Sequence, residues 1–118
     1  MKNEEKRRPE SEAELLTLIS ASLPKPSRDV MTGIGDDCAV IRPSAAKGIV
    51  QLLKTDALVE GIHFASGTRL DLVGWKALCR PLSDIASMGG TPRHAMITIA
   101  APSSATVSSW KSLYAGIG

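Results

Sequence analysis

The sequence predicts one small α+β domain, a mixed or antiparallel sheet with helices packed on one face. Three observations predict it. Apolar residues recur at helical spacing in three stretches, three shorter runs are β-prone, and Gly- and Pro-rich turns separate the two kinds. The 118 residues suffice for a single core. With one Phe, one Tyr and two Trp, that core must be built from Leu, Ile, Val, Ala and Met.

The first ten residues, "MKNEEKRRPE", read as a flexible, solvated tail, too charged for a secretory signal. The ordered domain is expected over 11–118. "SEAE" fits a capping box, in which the Ser11 hydroxyl accepts from the Glu14 amide while the Glu14 side chain reaches back. Leu15, Leu16, Ile19 and Leu23 follow at helical spacing, and Pro24 and Pro26 stop the helix. "PKPSRD" reads as a linker into a glycine stretch. "CAVI", ended by Pro43, and "IVQLLKTD" read as two strands that can form a hairpin across "RPSAAKG". "ALVEGIHFASGTR" reads as a loop.

From Asp71, an apolar stripe through Leu72, Trp75, Leu78, Cys79, Leu82, Ile85 and Ala86 predicts a helix ended by Gly89-Gly90. Pro81 interrupts it at a cost of ~3 kcal/mol, so a kink or a second helix starting there is expected. "HAMITIAAP" reads as a third strand with Ala95, Ile97, Ile99 and Ala101 on one face. Val107, Trp110, Leu113, Tyr114 and Ile117 predict a last helix.

Net charge is +2 and the basic residues are scattered, which argues against a nucleic-acid surface. No apolar run approaches the ~20 residues of a membrane-spanning helix. Cys38 and Cys79 show no metal-binding spacing and suit two reduced thiols in the cytoplasm. Neither a GxxxxGK[ST] loop nor a protein-kinase signature is present.

The acidic residues are unevenly placed. Five of the twelve lie in the tail and first helix. Of the others, Asp36 and Asp37 follow a glycine turn, Asp56 closes an apolar run, and Asp84 lies near an apolar helical stripe. A carboxylate in such places needs a partner. Gathered together, these groups would repel and raise one another's pKa values. Mg²⁺ removes that conflict, because it prefers hard oxygen ligands from a few carboxylates, phosphates and water. Each residue also has a plainer reading: a turn at Asp36-Asp37 and at Thr55-Asp56, a polar helix face at Ser83-Asp84, a surface loop at His63.

With "GIGDDCAVI", "KTDALVEGIHF", "GWKAL" and "PLSDIASMGG" in that order, the chain resembles the thiamine-monophosphate kinases, within the superfamily of aminoimidazole ribonucleotide synthetase. The resemblance runs from about Gly33 through Tyr114. It implies an enzyme that uses ATP and Mg²⁺ to phosphorylate thiamine phosphate to thiamine diphosphate by direct in-line transfer. It also implies a homodimer in which the two N-terminal sheets complete one another. Carried over by position, Asp37, Asp56 and Asp84 match Mg²⁺ ligands, and Thr55 matches a residue that also contacts metal. Asp36 is the first member of the aspartate pair. His63 matches a thiamine phosphate contact. Tyr114 falls at a nucleotide-contacting tyrosine, its other reading being a core aromatic.

Two residues depart from the family pattern. Lys54 stands where a Ser or Thr is usual, and Pro81 replaces an Asn. The family continues into a Gly-Gly-Asp strand and a second domain. The chain therefore reads as a truncated N-terminal ATP- and Mg²⁺-binding domain, expected to be inactive alone. Two other readings stay open: a superfamily member acting on a different phosphate or carbonyl acceptor, and a non-catalytic dimerisation or nucleotide-binding module.

Overall fold

The structure is a computed structural model that describes residues 6–35, 38–43, 46 and 48–118. Its element order is α1 (Glu12–Ser22), β1 (Val30–Thr32), β2 (Val40–Ile41), α2 (Leu70–Ser87) and α3 (Val107–Ile117). This is an α+β domain with a two-stranded antiparallel sheet.

Helix α1 starts as its sequence predicts, with the Ser11 Oγ accepting from the Glu14 N–H at 3.2 Å. The return half of the capping box lands one residue earlier: the Glu14 carboxylate accepts from the Glu10 N–H at 2.6 Å. It also pairs with Arg7. The Arg7 hydrogen bond, then that of the Glu10 amide, lowers the Glu14 pKa to about 2. The Arg7 carbonyl in turn accepts from the Val107 N–H at 2.8 Å, which joins the segment before α1 to the first turn of α3.

The hairpin is real but has a different partner from the one expected. "CAVI" supplies β2, which pairs with β1 from the stretch beside the predicted linker, in the register Val30↔Ile41 and Thr32↔Val40 with an irregularity between. The Arg42 N–H donates to the Asp29 carbonyl at 2.7 Å and closes the ladder. Gly35, at φ +107°, adopts a backbone that L side chains rarely take and helps turn the chain between the strands. The two strands are close in sequence, so their pairing closes only a small loop.

The other two strand expectations are corrected. Neither 49–56 nor 94–102 is a strand in the described structure. Leu53 is 93% exposed and Met96 87% exposed. Alternating apolar residues record a capacity to pair, and a strand forms only when another edge satisfies its backbone groups.

Helix α2 runs unbroken through Pro81, so no second helix begins there. Its end matches expectation: Gly89 has φ +70°, its N–H donates to the Ala86 carbonyl and the Gly90 N–H to that of Ile85, both at 2.9 Å. That pair of bonds is a Schellman cap, which satisfies carbonyls the helix leaves open. Helix α3 begins with a full capping box. The Thr106 Oγ1 accepts from the Ser109 N–H at 3.2 Å, and the Ser109 Oγ accepts from the Thr106 N–H at 3.4 Å.

The core lies between helices. Helix α3 packs against both α2 and α1, whereas the two strands contact only each other among the described elements. A face of helices over a wider sheet is therefore not assembled by these elements. Ile19, Val73, Val107 and Tyr114 are the buried apolar residues of this helical core. Close approach at the α2–α3 crossing depends on two glycines. A Cβ at Gly116 would fall on the Asp71 carbonyl oxygen, and one at Gly74 on the Leu113 carbonyl oxygen.

Candidate functional site

Helix α2 organises the polar residues through its spacing. Lys76, Arg80 and Asp84 lie four residues apart and share one face of the helix. Each engages the segment before α2, in antiparallel order. Asp84 Oδ2 lies 2.7 Å from Lys54 Nζ. Arg80 donates from Nε and Nη2 to the two Asp56 oxygens at 3.1 and 3.2 Å, a two-pronged contact. Lys76 donates to the His63 carbonyl. The chain from Lys54 to His63 is thus stitched along the polar edge of α2.

Charge in this strip is compensated side chain by side chain. The Asp56 carboxyl is held below its usual range, first by the Arg80 hydrogen bond, then by the Ala57 amide, with Arg80 and Lys54 charges adding. The Lys54 ammonium is pushed up by its hydrogen bond to Asp84 and by the Asp84 charge, with Asp56 contributing. Lys54 therefore senses both carboxylates, and Asp56 senses both cations. Thr55, between them, is exposed.

His63 lies in the turn that Gly61 opens at φ +80°. Its Nδ1 accepts from the Val59 N–H at 3.0 Å, which leaves Nε2 to carry the proton of the neutral ring. Tyr114 is 6% exposed and packs in the helical core, where burial raises its pKa. Asp36 and Asp37 lie outside the described residues.

The structure thus brings Asp56 and Asp84 to one charged strip, sets His63 further along it and keeps Tyr114 in the core. Among the described residues, no three His, Cys, Asp or Glu side chains gather closely enough to hold a metal ion. Asp56 and Asp84 have the hard oxygen chemistry Mg²⁺ favours, but each already carries a cationic partner. As held here, this pair does not fit a metal. A cavity of about 460 Å³ opens elsewhere, where the end of α3 meets α2, lined by Leu72, Trp75, Cys79 and Ile117 among others. None of the sequence-predicted site residues lines it.

Sequence reasoning missed two groups. Lys76 and Arg80 were legible in principle as a four-residue period opposite the apolar stripe of α2. The Asp29 cluster was not. Asp29 Oδ2 lies 3.0 Å from His94 Nε2 and 3.2 Å from Arg93 Nη2, joining the start of the hairpin to the 93–94 segment. The Ser27 hydroxyl first, then the Asp29 backbone amide, His94 and Arg93, lower the Asp29 pKa to about 2.

Comparison with known proteins finds thiamine-monophosphate kinases among the relatives of this chain. The thiamine-monophosphate kinase of Synechococcus elongatus is 38% identical over 104 residues, covering 87% of this chain and 29% of that protein. That of Bacillus subtilis is 38% identical over 89 residues, 75% of this chain and 27% of the relative. That of Aquifex aeolicus is 38% identical over 84 residues, 71% of this chain and 26% of the relative. The chain therefore spans less than a third of the length of these curated relatives. No solved structure matches it. Residues 35–118 match the family described as AIR synthase related protein, N-terminal domain, and the chain belongs to that family.

Proposed function

We propose that this chain is the N-terminal part of a thiamine-monophosphate kinase, which transfers a phosphoryl group from ATP to thiamine phosphate and yields thiamine diphosphate. The observation that carries the reading is the similarity of most of this chain to the N-terminal part of thiamine-monophosphate kinases. To this the structure adds Asp56 and Asp84, from separate segments, on the polar edge of α2 beside Lys54 and Arg80. Donor and acceptor are both anionic, so positioning and charge neutralisation dominate phosphoryl transfer. Lys54 and Arg80 supply positive charge at this edge, and Arg80 presents a planar fork that also suits phosphate oxygens. His63, on the same strip, is the proposed thiamine phosphate contact, and Tyr114 the proposed nucleotide contact of the assembled enzyme. Magnesium would neutralise and align the phosphates. The metal role proposed for Asp37, Thr55, Asp56 and Asp84, with Asp36 beside them, requires Asp56 and Asp84 to exchange their present partners.

We further propose a cytoplasmic homodimer. Val50 and Leu53 in one β-prone segment, and Met96 in the other, are 79%, 93% and 87% exposed. Pairing with a second copy would satisfy the backbone groups of these segments and give them a neighbouring edge. No helix is long and apolar enough to cross a membrane among the described residues, and free Cys38 and Cys79 suit a reducing compartment. One observation favours the non-catalytic reading: the ion pairs at Asp56 and Asp84 already balance the charge that a metal would balance.

A chimaera tests the kinase reading. Residues 35–118 would replace the matching segment of the Bacillus subtilis relative, and ATP-dependent formation of thiamine diphosphate would be measured. Activity within about tenfold of the parent, a barrier change of about 1.4 kcal/mol, is expected. A folded but inactive chimaera overturns the reading in favour of the non-catalytic module. The 118-residue polypeptide alone is expected to show no turnover.

A further inference from the structure

We infer that Lys54 is a built-in counter-ion for the Asp56–Asp84 site, standing where a divalent cation would otherwise sit. The chain accordingly binds such an ion more weakly than the same site without that ammonium. The inference rests on the kinase reading and specifies how this chain fills the cation positions of that site.

Three observations carry it. Lys54 Nζ lies 2.7 Å from Asp84 Oδ2, the distance of a charge-assisted hydrogen bond. Arg80 engages both oxygens of Asp56, so neither carboxylate has both its oxygens open to an incoming ion. The four side chains alternate in sign, Lys54 and Asp56 two residues apart in one segment, Arg80 and Asp84 one turn apart on α2. Their charges cancel, and a divalent ion entering the intact quartet meets no net attraction.

Removing Lys54 changes that balance. The remaining three side chains carry net negative charge, and Asp84 loses its partner. A protonated ammonium has no lone pair, so Lys54 cannot ligate an ion itself and acts only as a competitor. The Lys54 and Asp84 side chains retain 37% and 52% of their exposure, so the ammonium can swing into solvent without disturbing the core. A metal therefore enters by displacing Lys54, which makes the positive charge here partly the protein's own.

The experiment is a titration of Mn²⁺ into the 118-residue protein and its Lys54→Ser and Lys54→Arg variants, with free Mn²⁺ counted by electron paramagnetic resonance at fixed ionic strength. A unit charge at contact distance in water alters divalent-ion affinity about five- to thirty-fold. Lys54→Ser is expected to bind more tightly by that factor, whereas Lys54→Arg matches the parent. Adding Asp84→Asn to Lys54→Ser should remove the gain. Lys54→Gln is the second variant if Lys54→Ser alters the circular dichroism. Equal binding by the parent and Lys54→Ser overturns this inference and leaves the kinase reading to the chimaera. A gain in Lys54→Arg as large as in Lys54→Ser overturns it, because the effect would then not be one of charge. Absence of binding in every protein overturns both this inference and the metal role of Asp56 and Asp84.

Discussion

The α2–α3 crossing and the 49–53 segment both carry apolar residues, yet one is a close backbone-to-backbone contact and the other is open to water. At the crossing, Gly74 and Gly116 let two helix backbones meet, and the two helices bury Val73, Val107 and Tyr114. In the segment, Val50 and Leu53 are 79% and 93% exposed. The difference teaches that apolar content alone does not make a core. A helix satisfies its own backbone hydrogen bonds and needs only a face to bury. A β-prone segment needs a neighbouring edge before its side chains gain anything from burial.

Four measurements would break or sharpen this contrast. The largest effect is expected from Gly116→Ala. Its Cβ would meet the Asp71 carbonyl, which cannot move without shifting α2, so the loss should exceed the ~1–3 kcal/mol typical of overpacking. Urea unfolding measures it, and a midpoint equal to the parent's would mean that the helices do not approach this closely. Thr106→Ala removes the hydroxyl that caps α3 and should cost ~1 kcal/mol in the same assay. No change there would mean that the capping box contributes nothing to the anchored helix.

Acid comes next. Asp29 and Glu14 both have pKa values lowered to about 2, from ordinary values of 3.8 and 4.5. A depressed carboxyl contributes stability above its unfolded pKa and loses it as pH falls through the folded one. Stability should therefore fall between about pH 4.5 and 2, and Asp29→Asn should flatten that slope. Both groups are solvent-accessible, so the change should be modest and weaker at high salt. A slope that is the same in Asp29→Asn would show that the Asp29 ties to Ser27, His94 and Arg93 do not persist in solution.

The smallest effect is expected from Leu53→Ser. An exposed side chain with no packing partner should alter monomer stability by no more than ~0.5 kcal/mol. The same change should weaken any self-association seen by light scattering if this segment pairs across a dimer. A large loss of stability in dilute monomer would erase the contrast between the two regions.

Much of the helical architecture was legible. Ser11 and Gly89-Gly90 marked their helix ends through local chemistry, and the apolar spacing placed α3. The partner of β2 was not legible, because Val30–Thr32 lies beside a proline-containing linker and only three-dimensional closure selects it over 49–56. Pro81 misled for a related reason: its local penalty is set against the packing of the rest of α2 on α3. In the candidate site, the aspartates stood out by their positions, while their cationic partners Lys54 and Arg80 emerged only when the 54–63 segment lay along α2.

What the amino-acid order determined by itself was local: which stretches coil into helices, where they begin and stop, and which carboxylates are out of place. Neighbours within a few residues settle such features. Tertiary structure alone decided which β-prone stretch found a partner and which charge answers each aspartate. The strand choice depends on which edge comes to lie beside β2, and the charge pairs on groups distant in the chain that meet only where the 54–63 segment lies along α2.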